Sequence, residues 1–192
     1  AGRAIDIDDC SHIIAENFDI TIQGRAGAFI EESSNCILRR LNMETVDYVA
    51  QQTDGIYSQR NSSNIYENNK IVIHNSYDDG HNDCIQSYTE HSMTFRNNYC
   101  EQTSNKQRNA QGIFCTYPSG TLQIYNNVIY MPNSYNSCIA AKRGSGYRAR
   151  IFNNTVIGSK WNSIKAEDTD GNPEIQNNII WAYNGGSPLT YD

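Results

Sequence analysis

Apolar and polar residues alternate in short runs along this chain, and the runs recur. One phrase reads apolar, any residue, Asn-Asn, any residue, apolar. It occurs as Tyr66-Glu67-Asn68-Asn69-Lys70-Ile71, Phe95-Arg96-Asn97-Asn98-Tyr99-Cys100 and Ile124-Tyr125-Asn126-Asn127-Val128-Ile129. Ile151-Phe152-Asn153-Asn154-Thr155-Val156 and Ile175-Gln176-Asn177-Asn178-Ile179-Ile180 complete the set. The leading asparagines step by 29, 29, 27 and 24 residues. Ile14-Ala15-Glu16-Asn17 is a weaker copy, and the stretch around Asn42 departs from the pattern. A second phrase runs out of phase with the first, centred on Ile56, Ile85, Ile113, Ile139 and Ile164, with steps of 29, 28, 26 and 25. Counting back from Ile56 reaches Ile30 and then Ile5.

Within both phrases apolar residues return at every second position, the strand period, and no copy shows a helical stripe. Leucine is too scarce for a leucine-rich repeat. Equal phrases at one drifting period predict short strands stacked in parallel. The expected fold is therefore an all-β, right-handed parallel β-helix of about seven coils, on the order of 35 Å long at the usual strand spacing. It is expected to fill residues 1–192 as one domain. The Asn-Asn pairs suit a turn that needs a left-handed residue, and their amides can bond from coil to coil as a ladder. Tyr66, Phe95, Ile124, Ile151 and Ile175 form one predicted inward stack, and the five isoleucines of the second phrase form another. Residues one and three places after each isoleucine then face outward. These are the rows Tyr57, Gln86, Phe114, Ala140, Lys165 and Gln59, Tyr88, Thr116, Lys142, Glu167. Rings and amides on a sheet face suit sugar rings and their hydroxyls, so Tyr57, Gln59, Gln86, Phe114, Thr116, Lys165 and Glu167 are candidate substrate-binding residues; an ordinary solvated face is the alternative.

Composition narrows the function classes. The 192 residues carry 15 basic and 21 acidic side chains, for a net charge of −6. That balance argues against nucleic acid as the main partner, and no apolar stretch is long enough to span a membrane as a helix. Polarity comes from 24 asparagines and 13 tyrosines rather than from charge, unlike a disordered acidic tail. The six cysteines form no C-x-x-C pair, so zinc ribbons and thioredoxin-type chemistry are not expected. Disulfides in a secreted protein and buried thiols in a repeat core both fit their number. Cys10 and Cys36, at similar points of adjacent coils, are the expected bridge. Cys84 and Cys138 fall at one outward position two coils apart, too far to bond. Ala1-Gly2-Arg3 carries no apolar signal, so a leader has been removed or the chain is a piece of a longer one.

Candidate chemistry concentrates before Cys84, in His74-Asn75-Ser76-Tyr77-Asp78-Asp79-Gly80-His81-Asn82-Asp83. Asp78, Asp79 and Asp83 are oxygen donors of the kind Ca²⁺ takes. Two of these carboxylates can serve as acid and base in glycoside hydrolysis. Alternatively, His81 or Tyr88 can remove the C5 proton of a uronic acid while a cation neutralises its carboxylate. A polar turn that caps its own backbone also fits. Lys142 and Arg143 end one outward strand beside Tyr88 and can meet a sugar carboxylate; Lys106, Arg108, Arg148 and Arg150 extend the basic set. Candidate catalytic residues are thus Asp79, His81, Asp83, Tyr88, Lys142 and Arg143. Asn61-Ser62-Ser63 and Asn153-Asn154-Thr155 are formal glycosylation sequons, the first expected on an accessible turn and the second inside the ladder.

The repeat phrases and the Asn turn resemble the right-handed parallel β-helix superfamily typified by pectate lyases, over nearly the whole chain. That resemblance implies an Asn turn between the second and third strand of each coil and a substrate groove on the first strands' outward face. Asp79-Gly80-His81, with Ile85 following, is similar to the Asp-Pro-His motif of mannuronan C5-epimerases, with Gly80 in the proline's place; the family's second Asp falls near Gln111. The resemblance implies an extracellular protein acting on an anionic polysaccharide as a lyase or epimerase. A different reading starts from the alternating Ala4-Ile5-Asp6-Ile7-Asp8, an uncapped strand that invites pairing, with Gly185-Gly186-Ser187-Pro188-Leu189 only loosely covering the other end. It makes the chain a non-catalytic structural or glycan-binding subunit of a head-to-tail assembly.

Overall fold

A computed structural model describes residues 2–46, 53–74, 82–102, 110–158, 161–182 and 187–191. His81, Asp78, Asp79, Lys106 and Arg108 lie outside the described residues. Among the described residues every regular element is a strand, and the strands form three parallel sheets. Sheet 1 holds eight strands: Arg3–Asp8, Ala26–Glu31, Asp54–Gln59, Ile85–Tyr88, Ile113–Thr116, Ile139–Lys142, Asn162–Ala166 and Ser187–Tyr191. Sheets 2 and 3 hold seven each, so three-strand coils numbered 1 to 7 are followed by one further strand on sheet 1. Of the segment expected as a loose cover, Ser187, Pro188 and Leu189 belong to that eighth strand, with Leu189 paired to Ile164. No helix of the described residues is long and apolar enough to cross a membrane.

Register follows the phrases. Ile56, Ile85, Ile113, Ile139 and Ile164 stack in line on sheet 1. Tyr66, Phe95, Ile124, Ile151 and Ile175 do so on sheet 2, where the rings of Tyr66 and Phe95 lie stacked. Counting back by the period misplaces one residue. Ile56 lies over Ala28, which lies over Ile5, whereas Ile30 pairs with Ser58 and Ile7. A shift of two keeps the side chain on the same face, so the core tolerates it.

Each asparagine of a pair has its own task. The first, at Asn68, Asn97, Asn126, Asn153 and Asn177, is exposed and takes a left-handed φ of 54–57°. The second builds the ladder. Asn98 donates from its backbone and its amide to Asn127 Oδ1, both at 3.0 Å, and from its amide to the Tyr66 carbonyl at 2.9 Å. Asn69, Asn127 and Asn154 repeat the arrangement with the coil that follows each. These bonds satisfy turn groups that burial would otherwise leave orphaned. The glycosylation expectation is thereby reversed. Asn153 is exposed because Asn154 is the ladder residue, while Asn61 is 3% exposed and bonds to Ile30, Ser58 and Glu90.

Strict alternation fails at the start of the sheet 1 strands. Gly55 and Ile56 both direct their N–H groups to the next coil, and Gly112 and Ile113 both bond the Cys138 carbonyl. A parallel ladder alternates these directions, so each is a bulge that turns two successive side chains inward. A Cβ on Gly55 would stand 2.4 Å from Ile71 Cγ2, and one on Gly112 would stand 2.5 Å from Ile129 Cγ2. In coil 4 the sheet 3 position holds Cys100 instead of isoleucine, and Cys84 bonds to it with Cα atoms 6.0 Å apart. Cys84 and Cys138 are therefore buried rather than outward. The expected Cys10–Cys36 bridge is absent: Cys10 lies against Ser33, and Cys36 belongs to the next turn, where its neighbour Ile37 bonds Ile13.

Between sheets 1 and 2 the core holds a carboxyl group. Glu90, 2% exposed, accepts bonds from Ser58, Ser87 and Asn61, and burial pushes its pKa up despite them. A raised folded pKa contributes stability that is complete below about 4.5, the ordinary value, and lost as pH rises through the folded value. Glu90→Gln is therefore expected to raise the melting temperature at pH 7–8, with the gain shrinking as the pH falls from the raised folded value toward about 4.5 and absent below it; scanning calorimetry across pH reads both. For the ladder, Asn98→Ala leaves the Asn69 donors unpaired and should cost on the order of 1–3 kcal/mol in urea unfolding. Asn97→Gly, at an exposed left-handed position, should stay within about 0.5 kcal/mol of the parent.

Candidate functional site

Three outward rows cross sheet 1. The row after each isoleucine runs Phe29, Tyr57, Gln86, Phe114, Ala140, Lys165 in register. It is recessed rather than flat and solvated: Gln86 is 9% and Phe114 7% exposed, against 39% for Tyr88 in the next row. Tyr57 stacks on Phe29 at 5.3 Å, and these two rings with Ala26 make a small apolar cluster outside the main core. Burial raises the Tyr57 pKa. The next row runs Gln59, Tyr88, Thr116, Lys142, with Glu167 continuing it beyond the Glu167 N–H to Ala141 bond.

A third row, two places before each isoleucine, is Asp54, Asp83, Gln111 and Ser137, all buried. Here carboxylates act as extensions of the ladder: Asp83 N–H donates to Asp54 Oδ1 at 2.9 Å, and Gln111 N–H to Asp83 Oδ1 at 2.7 Å. Asp83, expected as a calcium ligand or an acid, thus also fixes the next coil. Asp54 and Gln111 were legible as a row, Asp54-Gly55-Ile56, Asp83-Cys84-Ile85, Gln111-Gly112-Ile113. Asp54 lies outside the one carboxylate-rich loop, so only its place in this row marks it. Asp78 and Asp79 cannot be placed, and among the described residues no group of three or more His, Cys, Asp or Glu side chains is arranged to hold an ion.

The cations sort differently from the sequence grouping. Arg148 and Arg150 sit on sheet 2, ion-paired to Glu174, and are not part of this face. Arg143 is exposed on the turn after Lys142, at a φ of 59°, its N–H bonded to Asp168. Lys165 pairs with Glu167. Gln59 bonds Glu31 and accepts from the Tyr57 hydroxyl at 3.2 Å. Lys142 folds back so that its Nζ stands 4.7 Å from the centre of the Phe114 ring. Burial, then Arg143 and Lys165, hold its pKa below the ordinary lysine value, partly offset by Glu167 and Asp83. Tyr88 meets Tyr117 edge-on at 5.4 Å on the rim.

Four polar atoms here are buried with no hydrogen-bond partner among the described residues: Gln86 Oε1, Gln111 Oε1, Thr116 Oγ1 and Asn82 Nδ2. Such groups are costly and rare in folded proteins unless something else pairs them. They gather on coils 4 and 5, beside Phe114 and Lys142. Cavities elsewhere lack that feature. The one of about 340 Å³ beside Thr21, Glu44, Thr45, Val46 and His74 is closed off chemically by the His74–Glu44 pair and the His74 N–H bond to Thr45.

A family described as a right handed beta helix region matches residues 3–180. No curated protein and no solved structure matches the chain.

Proposed function

The chain belongs to the right-handed β-helix family, and from that premise we propose that it binds an anionic polysaccharide along the outward face of sheet 1, outside the cell, and acts on it as a uronan lyase or C5-epimerase. The observation that supports the reading is the set of buried, unpartnered atoms on Gln86, Gln111 and Thr116. Two of them are amide oxygens, which need donors; sealed as the face stands, they meet a sugar hydroxyl only once the edge above Gln86 and Gln111 opens. Phe114 beneath Lys142 supplies an apolar floor, and Lys142 a cation whose nearest carboxylates do not pair with it among the described residues. A cation opposite a uronate carboxylate stabilises the charge that develops there when the C5 proton leaves. Cleavage of the C4–O4 bond, with O4 leaving on the departing sugar and taking up a proton, then yields a 4,5-unsaturated sugar, whereas return of a proton to the opposite face of C5 yields the epimer. The proton acceptor is assigned to Tyr88, on the rim of the face, or to His81, which lies outside the described residues.

The test uses the intact chain with polymannuronate and polygalacturonate. Binding by calorimetry, with ultraviolet absorbance and NMR of the polymer as readouts of elimination and epimerisation, should be positive. Gln86→Leu should leave the melting temperature unchanged or higher, because it removes a buried unpaired oxygen, and should weaken polymer binding about tenfold. Failure of the parent protein to bind either polymer contradicts the reading, as does a Gln86→Leu variant that melts earlier yet binds normally.

A further inference from the structure

The outward face of sheet 3 changes character along the solenoid. Coils 1 to 4 place Asp19, Glu44, Lys70 and Glu101 on it. Coils 5 to 7 place Val128, Tyr130, Thr155, Ile157, Ile179 and Trp181 there, none of them charged. Tyr130, Ile157 and Trp181 stand in one register row along the solenoid axis, and Val128, Thr155 and Ile179 in the other. The residues between them, Ile129 and Val156, fill the core. Strand alternation therefore makes these six point outward but does not make them apolar. Trp181 is 66% exposed, Ile179 67% and Val128 39%, while Tyr130, Thr155 and Ile157 are half-buried. Sheet 2, by contrast, covers its outward face with ion pairs such as Arg96 to Glu67 and Arg150 to Glu174. Single exposed apolar side chains are ordinary, but a contiguous patch marks a binding surface.

We infer that this strip of sheet 3 binds one chain of a neutral β-1,4-linked polysaccharide, laid along the solenoid axis. Size decides first. Two rows two residues apart over three coils make a frame of about 7 by 9.6 Å. Even with side chains spreading beyond it, that falls far short of the roughly 800 Å² a side that a stable protein interface buries. Chemistry decides next. A sugar ring with equatorial substituents has apolar C–H faces and a rim of hydroxyls. Trp181 and Tyr130 supply rings for those faces, Ile157 an aliphatic floor between them, and the Tyr130 and Thr155 hydroxyls meet the rim. In an extended chain whose successive sugars are flipped, alternate sugars present the same face. Tyr130 and Trp181, two coils apart, therefore meet equivalent faces of one chain. An anionic polymer finds no cation among the six residues, and the net charge of −6 opposes it. The same charge disfavours an anionic lipid surface.

This site lies on a different sheet from the proposed polyuronate face and does not depend on it. Retention on amorphous cellulose and calorimetric titration with cellohexaose test it, with sedimentation velocity alongside. The parent chain should bind both, undiminished by added salt because no ion pair is involved. Trp181→Ala and Tyr130→Ala should each weaken binding about tenfold, and the double variant by about the product. Trp181→Phe, which keeps a ring, should retain most of it. Trp181→Ala should melt like the parent, since its side chain is mostly exposed. A parent chain that binds neither probe overturns the inference, as does a Trp181→Ala variant that binds like the parent. A parent that sediments as a dimer, split by Trp181→Ala, makes the strip a protein interface, and the inference fails. Cellulose binding without polyuronate binding upholds this site and removes the proposed function instead.

Discussion

Nearly every buried backbone group in this chain finds its partner one coil away, and that requirement governs the rest. A helix satisfies its own carbonyls locally; a three-strand coil cannot. The coils must therefore lie in register, with like residues above like: isoleucine on isoleucine, Asn98 on Asn127, Tyr66 on Phe95. The same constraint carries into the turns. Left-handed residues recur at three points of each coil, among them Tyr117 and Thr89, which avoid that region in isolation. They are held there because each donates its N–H to the coil beyond, Tyr117 to Lys142 and Thr89 to Thr116.

How much of this is legible in the sequence depends on whether a feature repeats. The strand period, the Asn turn and both inward stacks are plain because five copies agree. The bulge before each isoleucine is not, since Gly55, Cys84, Gly112 and Cys138 share no property that marks them as inward. Three of them become intelligible against sheet 3, where Gly55 and Gly112 face isoleucines and Cys84 faces Cys100. The division of labour within each Asn pair is hidden for a related reason. Two identical residues give no hint that the first carries the backbone conformation and the second the hydrogen bonds, so the sequence alone suggests a buried Asn153 and an accessible Asn61, the reverse of what the fold holds.

The candidate site shows the same split. The residues of the two outward rows are where the alternation puts them, but their burial is not legible, because alternation gives the direction of a side chain and not what packs over it. Burial turns Gln86 and Thr116 from ordinary surface groups into atoms lacking partners. It also gives Asp83 a structural bond alongside whatever chemistry it performs. Arg25 lies between phrases, and only the coil-to-coil register brings it over Tyr57.

That register can be measured directly. Asn17, Asn126, Asn153 and Asn177 are exposed turn residues at one equivalent point of coils 1, 5, 6 and 7. With Cys10 replaced by serine, nitroxide pairs at 17 and 126, 17 and 153, and 17 and 177 report distances by pulsed dipolar spectroscopy. The account predicts about 19, 24 and 29 Å, a constant increment of about 4.8 Å per coil although the sequence intervals differ. Distances without that constant step would contradict the stacking, and with it the face on which the proposed glycan site is built.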